Sequence, residues 1–265
     1  MLGQIGLGYP FVFLLLGRRP ALQLAAAIGI LLGAWLLFNS YPLPGEDFPA
    51  AKYGANDPQL VMTGSFAHWN KNANIAAAFD RWFLNQFPHP TDHPFVFNEG
   101  GYATLNFVPS IATILFGVLA GELLLSGLSH VGKLRVLLIA GAVCWSLGLL
   151  LDASVCPIVK RIWTPSWVIY STGWTCWMLA AFYAVIEVAG FRRWAFPLVV
   201  VGMNSIAIYL MAQLMKPFVG ASLRTHFGHE LFSGPYGPLI RGSCTLLVFW
   251  LICLWLYRQK IVIKI

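Results

Sequence analysis

The chain has 265 residues, of which 58% are hydrophobic and only 10% charged, with a formal net charge of +7. A soluble domain of this length carries about 25% charged residues, so the composition excludes an ordinary soluble enzyme and points to a membrane. The Lys and Arg fall in short clusters between apolar runs rather than in one basic stripe, which reads as membrane orientation and not as nucleic-acid binding.

Crossing the hydrocarbon layer takes roughly 20 apolar residues in a helix, because each rises about 1.5 Å against a core of about 30 Å. Seven runs meet or approach that length, at about 2–17, 20–39, 107–127, 134–152, 166–188, 195–214 and 239–257. The expected fold is therefore all-α: a polytopic helical bundle forming one membrane domain over 1–265. The first run is short and starts at Met1 without the charged start and cleavage site of a secretory signal. It reads as a helix already under way.

Runs two and three are separated by a long segment, about 40–106, which holds Glu46, Asp47, Asp57, Asp80, Asp92 and Glu99 and three histidines, His68, His89 and His93. Loops of this length are functional or disordered. Within it Ile75, Phe79, Trp82, Phe83 and Phe87 recur at helical spacing, with Asp80, Arg81 and Asn85 elsewhere on the wheel. The pattern predicts an amphipathic helix over 75–87 lying on the mouth of the bundle and capped by Asn72 or Asn74.

Run three opens with Gly100 and Gly101, which permit a sharp turn, with Asn106 as a cap and Pro109 in the first helical turn. Its Gly117 and Gly121 form a GxxxG, with Ser110 and Thr113 extending the small face, and close helix packing accounts for it. Run six carries Asn204 about seven residues past Pro197, about 10 Å along the axis. Ser205, Tyr209 and Gln213 follow as one polar stripe. Two readings stand: hydrogen bonds to neighbouring helices, or the wall of a polar cavity.

Asp152 and Glu187 lie near helix ends, where they reach headgroups and water. His89 and His93 have loop spacing and no partner arrangement for a metal, so no metal site is expected. The cysteines at 144, 156, 176, 244 and 253 contain no CxxC pair, which suggests neither disulfides nor zinc. No GxSxG, Walker, HExxH or dinucleotide motif is present.

Orientation follows from the short turns. Arg18, Arg19, Lys133, Arg135, Arg192, Arg193, Arg258, Lys260 and Lys264 fall on one side, against Lys160, Arg161, Lys216, Arg224 and Arg241 on the other. The positive-inside rule places the first group and the C-terminus in the cytoplasm, and 40–106 outside it.

Three stretches then belong together: MLGQIGLGY at the start, FNEGGYATLNFVPSIATILFGVLAGELL in the middle, and VVGMNSIAIYL with the closing LYRQKIVIKI. In order and spacing they resemble the heparan-α-glucosaminide N-acetyltransferase family, most of all its bacterial relatives of uncharacterised function. The likeness covers essentially the whole chain, including HWNKNANIAAAFDRWFL. It implies a bacterial inner-membrane acyltransferase that moves acetyl from cytosolic acetyl-CoA, as co-substrate, to an amino sugar across the membrane. Seven helices would correspond to the last seven of the family's eleven. The family's essential histidine lies among the helices outside this chain, so no catalytic residue carries over, and Gly3 and Gln4 stand where relatives commonly have Gln and Arg. The expectation is a portion of a longer enzyme, completed by upstream helices or a homo-oligomer, or a degenerate member.

Under that resemblance, His68, Trp69, Asn70, Lys71 and Asn72 would form a sugar-binding rim, with Trp69 as a stacking face and Asn204, Ser205 and Tyr209 as deeper contacts. The plainer reading has the rim residues cap and anchor the helix at 75–87. Arg192, Arg193, Lys133 and Arg135 would meet the phosphates of acetyl-CoA, although orientation alone accounts for them. From a different class, a polytopic transporter or lipid-handling protein remains the alternative, marked by broken helices near the midplane. A non-catalytic remnant is a third.

Overall fold

The computed structural model describes residues 2–43, 61–88 and 93–263. Glu46, Asp47, Asp57, His89, Asp92 and Lys264 lie outside them. Among the described residues the fold is all-helical, without strands. Five helices are long and apolar enough to cross a membrane, or six if one bent pair counts as a single span. Their surfaces suit lipid: Leu32, Leu36, Ile139, Leu150 and Leu246 are each more than half exposed. That is the make-up of an integral membrane protein. The first apolar run is realised as a 12-residue helix, about 18 Å long.

The chain divides into two compact units, Met1–Ala184 and Val185–Ile265. In the first, α1 (Leu2–Phe13) and α2 (Pro20–Ser40) pack on α4 (Phe107–Leu125) through Val12, Ala27, Leu31, Ile111, Ala112 and Leu115. The α1–α2 turn is tied to α4 by a fully buried Gln23, whose side-chain amide donates to Glu122 Oε1 at 2.8 Å and to the carbonyls of Leu15 and Arg18 at 3.2 Å. In an apolar interior such an amide is held only where acceptors are supplied.

α5 (His130–Ser154) and α6 (Pro165–Tyr183) form a tight antiparallel pair, and a π turn at Ala184–Val188 extends α6. Here the glycine packing lies elsewhere than expected. Cβ atoms built on Gly117 and Gly121 would meet nothing within 4 Å, so the GxxxG of α4 is not a close helix contact. A Cβ on Gly148 would instead come within 2.7 Å of Tyr170, and one on Gly173 within 2.7 Å of the Trp145 backbone, while Trp177 fills the space at Gly141. The Trp177 ring occupies the notch at Gly141, while at Gly148 and Gly173 the backbone of the facing helix itself comes close. Gly117, with Thr113, lines a cleft of about 80 Å³ shared with Ser171, Thr172 and Thr175 of α6.

The second unit holds α7 (Phe196–Met203), α8 (Ser205–Leu214), α9 (Lys216–Phe227) and α10 (Gly237–Arg258). The expected continuous run over 195–214 is broken: α7 and α8 meet at 68°. Asn204 at the break has φ −129° and ψ 43°, outside the helical range. A buried core of Val200, Met211, Val219, Phe249 and Cys253 joins the four helices, and the Trp250 indole N–H donates to the Pro197 carbonyl at 3.1 Å.

Candidate functional site

The polar stretch around His68 sits on a cap over one end of the first unit. Its core is Phe38, Trp69, Ala76, Cys156 and Ile162. A 3-10 turn, Gly64–Trp69, drives the Trp69 indole flat against Phe38, with ring centroids 4.4 Å apart and planes 7° from parallel. Trp69 is 1% exposed. It therefore offers no face to a sugar, correcting the stacking role expected of it. Burying an amphipathic ring between α2 and the cap removes more apolar surface from water than any surface placement would.

The asparagines are also taken up by the fold. Asn70 pairs with the Met62 backbone in both directions, accepting from its N–H at 2.7 Å and donating to its carbonyl at 2.9 Å. Asn74 caps α3 (Ile75–Leu84) by accepting from Ala77 N–H at 3.0 Å, and donates to the Asn70 carbonyl. Asn72 takes the left-handed conformation, φ 57°, which Asn tolerates better than most residues, and the Arg81 guanidinium donates to its carbonyl at 3.0 Å.

α3 also turns differently from its sequence pattern. Its most buried residues are Ala76 and Asp80, while Trp82 stands 61% exposed. The reason is polar: both carboxylate oxygens of Asp80 accept from Thr104 N–H, at 3.0 and 3.1 Å. Burial pushes the Asp80 carboxyl above its ordinary range, partly offset by the Thr104 hydrogen bonds and then by Arg81. Asn106 does not cap α4 as expected; its amide donates to the Arg161 carbonyl at 2.6 Å, tying the helix to the α5–α6 loop. Asp152 holds that same loop through Ile158 N–H at 2.6 Å, correcting its assignment to headgroups.

Chemistry not consumed by the fold remains at three places on the cap. His68 is half-buried, with Nδ1 3.0 Å from the Tyr41 carbonyl. A carbonyl only accepts, so Nδ1 is the donor and Nε2 keeps the lone pair when the ring is neutral. Lys71 and Arg161 both approach Gly101, which turns at φ 70°: a Cβ there would meet Lys71 Cγ and Cε at 3.5 Å and Arg161 Cδ at 3.7 Å. Neither side chain has a hydrogen-bond or ion-pair partner among the described residues. Arg161 was assigned in the sequence only to membrane orientation; no local motif marks it, because an intervening chain of some sixty residues separates it from Gly101. Beside them, Asn72, Asn74, Asp80, Asn98 and Tyr102 enclose a space of about 10 Å³, enough for one water.

The deeper contacts stand in the second unit. Asn204 is fully buried, and both ends of its amide engage the tail: Nδ2 donates to the Ile261 carbonyl at 3.2 Å and Oδ1 accepts from Ile263 N–H at 3.0 Å. It binds backbone rather than lining a cavity. Ser205 and Gln213 are exposed and Tyr209 is half-buried, on the side of α8 away from the buried Ala207 and Met211.

Of the cations expected to meet acetyl-CoA, Lys133 donates to the Leu124 carbonyl at 2.7 Å, at the end of α4, where a cation is favoured by the helix dipole. Arg192 pairs with Glu187 at 3.0 Å, both well exposed, a contact contributing at most about 1 kcal/mol. Arg135 and Arg193 are exposed and not engaged in this way. Among the described residues no group of three His, Cys, Asp or Glu side chains is arranged to hold a metal.

No family model and no curated protein matches the chain.

Proposed function

We propose that the chain is the acceptor-side part of a membrane acyltransferase similar to the heparan-α-glucosaminide N-acetyltransferases, moving acetyl from cytosolic acetyl-CoA to an amino sugar across a bacterial inner membrane. In this reading seven spans cross the membrane, the C-terminus and the basic short turns are cytoplasmic, and segment 40–106 faces the acceptor. The observation that supports it is the pair Lys71 and Arg161 at the Gly101 turn, two cations on the cap without an ion-pair partner among the described residues. Acetyl transfer forms the amide C–N bond and breaks the thioester C–S bond, with the proton lost by the amine ending on the departing CoA thiolate, so the amine must arrive neutral with its lone pair free. Nearby cations disfavour the ammonium form and hold anionic groups on the same sugar chain.

The test follows radiolabelled acetyl from acetyl-CoA to glucosamine in membranes. Residues 1–265 alone should transfer none, because the resemblance places the essential histidine outside them. Adding the upstream helices of a relative as a second polypeptide should produce transfer, and Lys71→Gln with Arg161→Gln should raise KM for the acceptor. Absence of transfer with both polypeptides folded in the membrane defeats the reading.

One observation favours a second reading, a transport or lipid-handling protein: the 68° break between α7 and α8, the kind of interruption found where substrates cross. Reconstituted in liposomes, such a protein would move a fluorescent lipid between leaflets, read as dithionite quenching beyond half of the signal.

A further inference from the structure

A cavity of the second unit lies between α9 and α10, apart from the residues weighed for acetyl transfer. α9 presents Lys216, Gly220 and Arg224 along one face, at i, i+4 and i+8, and α10 meets them with Arg241, Gly242 and Thr245. Together they border a groove of about 400 Å³, within the range of small-molecule sites. Its depth comes from the missing side chains of the glycines. A Cβ on Gly220 would only touch Arg241 Cδ, at 3.8 Å, and one on Gly242 would meet nothing within 4 Å.

The charge in this groove is uncompensated. None of the three cations has a carboxylate within ion-pair distance among the described residues. The Arg224 Nε is shut off from solvent and has no acceptor. A buried donor without an acceptor costs free energy, and gathering three positive charges in one concavity adds mutual repulsion. The repulsion is relieved by one ligand, an anion with several oxygens seated between the three cations. Guanidinium groups match phosphoryl oxygens in planar, paired geometry, and a lysine supplies a further point charge.

The surroundings indicate the source of that anion. Arg241, Gly242 and Thr245 occupy the first turns of α10, a helix long and apolar enough to span a membrane, so the groove opens where headgroups lie. Phe218, Tyr236 and Leu239, close in sequence to the residues of the groove, have 68%, 73% and 68% of their surface exposed, so the same segments carry apolar side chains suited to lipid. We propose that the α9–α10 groove is a phosphate-binding site, occupied in the membrane by the headgroup of an anionic lipid. The site does not depend on the acyltransferase reading.

The experiment uses the full chain purified in a non-ionic detergent. Native mass spectrometry compares retention of phosphatidylglycerol with that of phosphatidylcholine, whose phosphate is neutralised by its own choline, and calorimetry titrates inorganic phosphate. The expected result is preferential retention of phosphatidylglycerol, falling at least about tenfold in the Arg224→Gln, Arg241→Gln double variant. Gly242→Leu should reduce it similarly by filling the groove, and since a Cβ there meets open space this variant keeps its fold if the double variant does not. Saturable phosphate binding lost in the same variants, without lipid preference, supports the site and makes its source a free anion. Equal retention of the two lipids with no phosphate binding by the unaltered chain overturns the proposal, as does phosphatidylglycerol binding unchanged in a folded variant.

Discussion

Trp69 lies flat on Phe38, 4.4 Å between ring centroids, and this stack, with the His68–Tyr41 hydrogen bond beside it, joins the segment after residue 60 to the end of α2. Removing either ring should loosen the cap without disturbing the α5–α6 pair. Phe38→Ala or Trp69→Ala is expected to cost about 3–5 kcal/mol locally. Hydrogen exchange should then speed up over 61–88 and 93–106 while the amides of α5 and α6 stay protected. Unchanged exchange in the cap would mean that the stack carries little of its stability.

Asp80 makes the cap sensitive to pH. Burial raises its folded pKa above the ordinary carboxylate value, so between the unfolded and folded values the folded state binds more protons than the unfolded one. The sign follows: stability is highest below the unfolded pKa and declines as pH rises through the folded pKa. Exchange protection of the cap should weaken as the pH rises from the unfolded carboxylate value through the raised folded one, and Asp80→Asn, which still offers an oxygen to Thr104 N–H, should flatten that slope. A slope of the same size in the variant would assign it to another group.

Asn204 clamps the tail through Ile261 and Ile263. Asn204→Leu leaves two backbone groups without partners, at a cost of about 1–3 kcal/mol each where water cannot replace them. With a cysteine placed at Ile263, maleimide labelling should proceed faster in the Leu variant than in its parent. Equal rates would show that the tail is held by something other than the amide.

The glycines separate into two classes. Gly117→Ala and Gly121→Ala should be neutral or stabilising by up to about 1 kcal/mol, since alanine is the better helix former and has room. Gly148→Ala and Gly173→Ala must push α5 and α6 apart, because the new carbon would lie 2.7 Å from backbone of the facing helix. Overpacking of this kind costs about 1–3 kcal/mol. Thermal unfolding in detergent should rank the four accordingly.

Composition and run length determined by themselves that the chain is helical and apolar enough for a membrane, and they placed the long helices to within a few residues. That much is local physics: a backbone without water must satisfy its own hydrogen bonds, and roughly 20 apolar residues in a row report it. Helix spacing likewise located α3, and its N-cap at Asn74 was one of two residues the sequence offered. What tertiary structure alone decided was where each polar or small side chain is used. Nothing near Asn204 in the sequence announces a tail almost sixty residues further on, and nothing near Gly117 tells that its neighbours keep their distance there while α5 and α6 close on each other at Gly148 and Gly173. Trp69 and Asp80 were read as surface chemistry from their polar neighbours, yet both are buried, because the cap supplies one with an aromatic face and the other with Thr104 N–H. The cations of the α9–α10 groove are ordinary in sequence, as a charge acquires its meaning from the partner that folding brings, or fails to bring, within reach.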